Sequence, residues 1–224
     1  MDGNGRWARK RNQNRTQGHL EGLKTAKRIV KAASDMGIAY LTLYAFSTEN
    51  WKRAAEEVGF IMGLVKRYLI EEMDFYRQNG IRIRHAGDFP GLPEDIGQEI
   101  QRAMEDTKDF KGLQVILALN YGGRDEIRRA VERLIRESAL SGAAAPTVTE
   151  DAISQYLDNP DIPDPDLIIR TAGELRTSNF LLWEAAYSEY YISDILWPDW
   201  TEEDLRLAVL DFQKRERRFG GVIK

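Results

Sequence analysis

Near the start of the chain stand Asp2-Gly3-Asn4-Gly5-Arg6-Trp7, then Arg15 and His19: a carboxylate, two glycines, cations and an aromatic in one short loop. Glycines let backbone N–H groups approach phosphate oxygens, Arg and His supply charge-assisted hydrogen bonds, and a single aspartate can hold the Mg²⁺ that a diphosphate carries. A solvated, frayed terminus is the other reading of so polar a stretch. The spacing is neither a Walker loop nor a G-x-G-x-x-G fingerprint, so nucleotide motifs do not claim it.

Three more polar clusters each follow an apolar run: Ser47-Thr48-Glu49-Asn50-Trp51-Lys52-Arg53, Asn120-Tyr121-Gly122-Gly123-Arg124, and Arg170 to Asn179. Any one could be only a well-made loop. In the third, Arg170, Arg176 and Ser178 surround a glycine turn, the composition of a second phosphate site.

The elements that must position these clusters alternate. Leu20 to Met36 has helical spacing closed by Gly37, Ile38 to Phe46 reads as a buried strand, and a long amphipathic helix is expected from about Ala55 to Asn79. Strand Ile81 to Ala86, helix Pro93 to Thr107, strand Leu113 to Leu119, a turn at residues 120 to 123 and helix Arg124 to Ser138 follow. After a small-residue linker come a short helix from Thr147 to Leu157, strand Asp166 to Arg170, and a last helix from the Thr201 cap to Arg218. This order predicts an α/β fold, a single domain with a mostly parallel central sheet flanked by helices and ligands at the carboxyl ends of strands. The apolar stripe of the 55 to 79 helix, from Val58 to Met73, is wider than one sheet face needs; it is either core or one wall of an apolar channel. His85 has no motif around it and reads as structural.

At 224 residues and 42% hydrophobic content the chain can bury a sizeable core. A net charge of only −4 argues against a nucleic-acid partner, so any anion site must come from local arginine clusters. The absence of cysteine leaves no thiolate metal site and fits a cytoplasmic location. No apolar run approaches the roughly 20 residues of a membrane span.

With Gly18-His19, Tyr44 to Trp51, Asn120 to Arg124, Ile169-Arg170-Thr171, Ser178 to Trp183 and Arg217 to Gly221 added to the first motif, the chain resembles the cis-prenyltransferases, the family of bacterial undecaprenyl diphosphate synthase, over nearly its whole length. It lacks the aspartate-rich motifs of the trans enzymes. The resemblance implies a Mg²⁺-dependent transferase adding isopentenyl diphosphate to an allylic diphosphate, farnesyl diphosphate by preference, to make the long-chain lipid carrier for cell-wall sugars. A short-chain synthase and a non-catalytic partner of the same fold are the other readings, and a generic phosphate or nucleotide enzyme is a distant one.

By the same resemblance Asp2 is the essential metal-linked carboxylate and Glu189 the second. Gly3, Asn4, Gly5, Arg6, Arg15 and His19, with Trp7 beside them, bind the allylic diphosphate. Arg170, Arg176 and Ser178, with Thr177 beside them, bind that of isopentenyl diphosphate. Ser47, Thr48, Glu49, Asn50, Trp51 and Arg53 form a mobile loop in which Asn50 assists proton removal; Asn50, Asp2 and a phosphate oxygen are all candidate acceptors. Ala45, Ile61, Leu64, Val65 and Leu113 are the candidate tunnel lining, and Arg218 and Gly220 reach across a homodimer. Peripheral membrane contact for product release is also implied. Family members carry an apolar strand directly before the aspartate motif, where this chain starts at Met1, so a sheet edge is expected to lack a neighbour.

Overall fold

Residues Val115 to Tyr121 form an unbroken buried run because β3 (Gln114–Tyr121) is the middle strand of a three-stranded sheet, between β1 (Tyr40–Ser47) and β2 (Arg82–Ala86). β2 and β3 are parallel, Ile83 facing Val115 and His85 facing Leu117. A parallel pair needs a crossover, and α5 (Glu94–Thr107) supplies it by burying Ile96, Ile100 and Ala103 on one face. At its end the Thr107 hydroxyl donates to Ala103 O (2.7 Å) and accepts the Ile83 N–H (2.9 Å), fastening helix to strand. The remaining helices of this region are α3 (Ala55–Glu71), α4 (Met73–Gln78), α6 (Gly123–Ser141) and α7 (Glu150–Ser154).

The structure is a computed structural model that describes residues 1–141 and 148–217, and the chain falls into two compact units. The elements above, apart from the first two residues of β1, lie in the unit made of Thr42–Pro163 and Thr177–Trp183. The other unit takes Met1–Leu41, Asp164–Arg176 and the chain from Glu184. It contains α1 (Asn4–Lys10), α2 (Arg15–Asp35), a parallel pair of β4 (Leu167–Arg170) with β5 (Glu189–Ile192), and α8 (Glu202–Gln213). Ala26, Ile29, Val30 and Ala33 form the buried face of α2, and α8 packs on that helix with Leu205 and Ala208 buried. The Thr201 cap holds as the sequence predicts: Asp204 N–H donates to its hydroxyl (3.3 Å) and its own N–H returns to the Asp204 carboxylate (2.8 Å).

The α/β class with parallel pairing stands, but several boundaries do not. Residues 1 to 19 are not one loop: Asn4–Lys10 is helical and Arg15 already opens α2. The 55 to 79 helix breaks at Glu72, whose φ of −100° and ψ of 6° make a one-residue step between α3 and α4. Beyond the step Tyr76 is fully buried with its ring edge-on to Tyr68 at 6.2 Å. The expected turn at 120 to 123 is shorter, since β3 runs through Tyr121 and α6 starts at Gly123. The last helix stops at Gln213, and β5 was not foreseen.

A buried ion network fastens the segment after α7. Arg129 on α6 pairs with Asp125 (2.8 Å) and with both oxygens of Asp158, and the Asp158 carboxylate also accepts the Gly87 N–H (2.8 Å) and Arg133 (3.1 Å). Burial works to raise the Asp158 carboxyl, but the Arg129 hydrogen bonds and charge outweigh it and hold the group below the usual carboxylate range. Such a group stabilises the fold above the unfolded-state value and ceases to do so as pH falls through the folded one. Arg129→Met strands a buried carboxylate and is expected to cost about 3 kcal/mol in urea unfolding at pH 7. The same titration carried below the ordinary aspartate value of 3.8 should show the native protein losing stability and the difference between the two proteins narrowing.

Candidate active site

Asp2 is fixed through its backbone before its side chain acts. Its N–H donates to Thr171 Oγ1 (2.9 Å), and its carbonyl accepts the Thr171 hydroxyl (3.0 Å) and the Trp197 N–H (2.9 Å). These bonds set the aspartate beside the last residue of β4. Gly3 then turns the chain into α1 with φ +104°, a conformation in which a side chain is strained.

The Asp2 carboxylate accepts hydrogen bonds from Arg170 Nη2 (3.0 Å) and Arg6 Nη2 (3.4 Å). Burial pushes its carboxyl up, but the Arg170 hydrogen bond and charge, the Gly3 N–H and Arg6 together bring it below the ordinary value, so it stays ionised at neutral pH. Arg6 reaches further, to Ala172 O (3.1 Å) and Glu174 Oε1 (2.9 Å), while Glu174 also pairs with Arg176. The Arg170 guanidinium closes the ring by donating to Arg176 O. Three guanidiniums against two carboxylates leave a positive excess on a partly exposed cluster, the electrostatic condition for holding a polyanion.

Arg15 and His19, four residues apart, share one face of α2. A side chain at Gly5 would lie 3.3 Å from Arg15 Nε, so the arginine head sits over the first turn of α1. Asn4 buries its amide oxygen without a hydrogen bond. The Trp7 indole N–H donates to Asp199 (2.6 Å), which also receives Arg11 (3.0 Å), and the Arg11 guanidinium lies 4.3 Å over the indole ring. Glu189 opens β5 opposite Leu167, whereas Arg170 is opposite Ile192 at the other end of the ladder. Glu189 pairs there with Arg215 (2.9 Å).

In the other unit, the cluster after β1 is a short 3₁₀ helix, Thr48–Lys52, closed by a capping box in which the Ser47 N–H donates to Asn50 Oδ1 (3.2 Å). Trp51 lies edge-on to Phe46 at 5.0 Å and donates its indole N–H to Asn120 Oδ1 (2.7 Å). Glu49 accepts from Asn179 Nδ2 (2.8 Å), and Arg53 pairs with Glu57 (3.1 Å). Burial raises the Glu49 carboxyl, yet its own N–H, the Asn179 amide and the Ser47 and Thr48 side chains hold it below its usual range. The Asn120 and Asn179 contacts, like those of Glu174, were missed from sequence, although all three stand inside motifs the sequence displays. Thr177 and Ser178 are exposed on the loop that ends in Asn179. Ile61, Leu64 and Leu113 are buried and Ala45 and Val65 half-buried. Arg218 and Gly220 lie outside the described residues.

An acidic group held by arginines at the carboxyl end of a parallel strand lies where α/β proteins place their ligand sites. Comparison with known proteins agrees. A family model described as putative undecaprenyl diphosphate synthase matches residues 1–220. An isoprenyl transferase of Treponema denticola is 53% identical over 222 residues, 99% of this chain and 95% of that protein. One from Clostridium perfringens is 51% identical over 99% of this chain and 88% of that protein. Among solved structures, lavandulyl diphosphate synthase of Lavandula x intermedia in complex with dimethylallyl diphosphate superposes with a TM-score of 0.93 at 33% identity, covering 98% of this chain and 95% of that one. A probable undecaprenyl diphosphate synthase from Campylobacter jejuni gives 0.80 at 37% identity over 90% of this chain and 92% of that one. The chain belongs to the undecaprenyl diphosphate synthase family of prenyltransferases. No helix among the described residues is long and apolar enough to cross a membrane.

The backbone turn at Gly3 is the element whose loss should be felt first. A Cβ there would stand 2.8 Å from Leu196 Cδ2 and 3.2 Å from Ala172 Cβ, on a backbone already in the left-handed region. Gly3→Ala is expected to lower stability by about 1–3 kcal/mol in chemical denaturation.

Proposed function

We propose that this chain is a Mg²⁺-dependent cis-prenyltransferase that condenses isopentenyl diphosphate onto an allylic diphosphate, farnesyl diphosphate by preference, to make a long-chain Z-polyprenyl diphosphate of undecaprenyl length. The observation that carries the reading is the Asp2, Arg6, Arg170, Arg176 and Glu174 cluster, an ionised carboxylate among excess guanidiniums. In this reading Gly3, Asn4, Gly5, Arg6, Arg15 and His19 hold the primer's diphosphate, and Arg170, Arg176, Thr177 and Ser178 hold that of the isopentenyl unit. The enzyme works in the cytoplasm as a homodimer, in which Arg218 and Gly220 serve the partner's site, and releases its product at a membrane surface for peptidoglycan synthesis.

Asp2 fits a Mg²⁺ ligand: it is a hard oxygen donor, ionised and half-exposed, and Mg²⁺ is commonly held by one or two carboxylates plus substrate phosphates. When bound, the ion adds Lewis-acid neutralisation of the diphosphate oxygens. Glu189, which pairs with Arg215 (2.9 Å), is the second carboxylate of this assignment.

The reaction breaks the allylic C–O bond, forms a C–C bond to the isopentenyl double bond and expels a proton. Arg6 and Arg15, which hold the primer's diphosphate in this reading, face the oxygens on which charge develops, where fixed donors lower the barrier most. Asn50 cannot serve as the base, because an amide has no basic lone pair at neutral pH and its oxygen already accepts the Ser47 N–H. It orients the loop, and a diphosphate oxygen takes the proton. The growing chain lies along Ala45, Ile61, Leu64, Val65 and Leu113.

Incubation with labelled isopentenyl diphosphate and farnesyl diphosphate, with and without Mg²⁺, tests this. A Mg²⁺-dependent product of undecaprenyl length is expected; a product of only a few units moves the chain to the short-chain synthases, and no incorporation by the protein defeats the reading. Asp2→Asn should lower kcat by about 10²–10³-fold.

A further inference from the structure

The 3₁₀ helix that carries Glu49, Asn50 and Trp51 is five residues long, and beyond its capping box it draws on contacts from outside. Two of these come from asparagines in left-handed backbone conformation, Asn120 (φ 52°) and Asn179 (φ 62°). Asn120 holds Trp51. Asn179 makes the more consequential set of contacts.

Its carbonyl accepts the Gly123 N–H (2.7 Å) and its Oδ1 accepts the Arg124 N–H (2.9 Å), so it caps the start of α6. Its Nδ2 donates to Glu49 Oε1 (2.8 Å). With a backbone donor on one side and a carboxylate on the other, the amide has one consistent orientation. The space it occupies is also specified: a Cβ on Gly122 would stand 2.7 Å from Asn179 Nδ2 and 2.7 Å from Thr48 Oγ1. Only a glycine there lets the amide pass from α6 to the Glu49 turn. The residue before it is Ser178, whose carbonyl accepts from the Tyr44 hydroxyl (3.3 Å), and the residue after it is Phe180, stacked on Tyr44 at 4.5 Å.

We propose that Asn179 is a positioning residue that clips the Glu49 turn to the Ser178 loop, so that the geometry of the loop reading the isopentenyl diphosphate and that of the turn bearing Glu49 and Asn50 are set together. This rests on the activity proposed above. A side chain needed only to cap α6 would be replaceable by aspartate, itself a good cap. A clip that donates to Glu49 would not, because aspartate places a second carboxylate against the first.

The test compares Asn179→Gly and Asn179→Asp, both compatible with the left-handed backbone, with the native protein and in a Glu49→Ala background. Each single variant is expected to lower kcat/KM for isopentenyl diphosphate at least about tenfold, the worth of one hydrogen bond to an ionised group. Asn179→Asp should be no better than Asn179→Gly, and on Glu49→Ala the added loss should shrink below about twofold. Native-like activity in Asn179→Asp, or the same factor lost with and without Glu49, overturns the proposal. Hydrogen exchange of the 48–52 amides is independent of substrate: faster exchange in both variants supports the clip, and unchanged exchange overturns it. Absence of activity in the native protein would therefore defeat the activity reading while the exchange experiment still judged the clip.

Discussion

The ion pair between Asp2 and Arg170 is the constraint on which the site's architecture turns. Arg170 closes β4, and its register against β5 fixes where that strand ends. Asp2 reaches it only because its backbone is stitched to Thr171 and Trp197. The left-handed turn at Gly3 and the start of α1 follow from that anchorage, and with α1 comes Arg6. A carboxylate placed loosely near an arginine would have collapsed onto solvent; here three backbone hydrogen bonds leave the side chain little to decide. Chemistry that depends on a developing charge requires such rigidity, since donors that must reorganise lose much of their effect.

The other unit solves a similar positioning problem with neutral groups. Asparagine amides carry both a donor and an acceptor, so one side chain can satisfy a helix start and a neighbouring side chain at once. The buried Arg129 and Asp158 network is charged where the Glu49 turn is mostly amide-held, and the difference is reasonable. The former lies deep and needs to fix only the fold, whereas the latter stays partly open to solvent.

The order of helices and strands was legible because β3 is sheathed on both faces and α2 and α5 bury one face each, which prints continuous or 3.6-residue apolar patterns on the sequence. The polar clusters were legible because they sit where β1, β3 and β4 end. Two elements left no such pattern. β5 is four residues long and begins with a charged one, so its pairing with β4 has no periodic signature. α1 contains glycine, asparagine and arginine and would not persist alone; long-range contacts of Asp2 and of Trp7 with Asp199 hold it. The break at Glu72 is likewise silent, with neither proline nor glycine to announce it. Among site residues, Asp2, Arg6, Arg170 and Arg176 were found from type and spacing. Glu174 and Asn179 escaped because their importance lies in what they touch across tens of residues of chain.

Glu174 has a wider meaning. It occupies the arginines much as a ligand's oxygens would, pairing with Arg6 and Arg176 at once. The cluster therefore carries its own monovalent competitor. A singly charged metabolite offers those guanidiniums no more than they already have. A diphosphate would offer the same arginines more oxygens and a higher charge than the glutamate does. In the proposed reading that pairing would favour the more highly charged ligand, ahead of any recognition of the hydrocarbon attached to the phosphates.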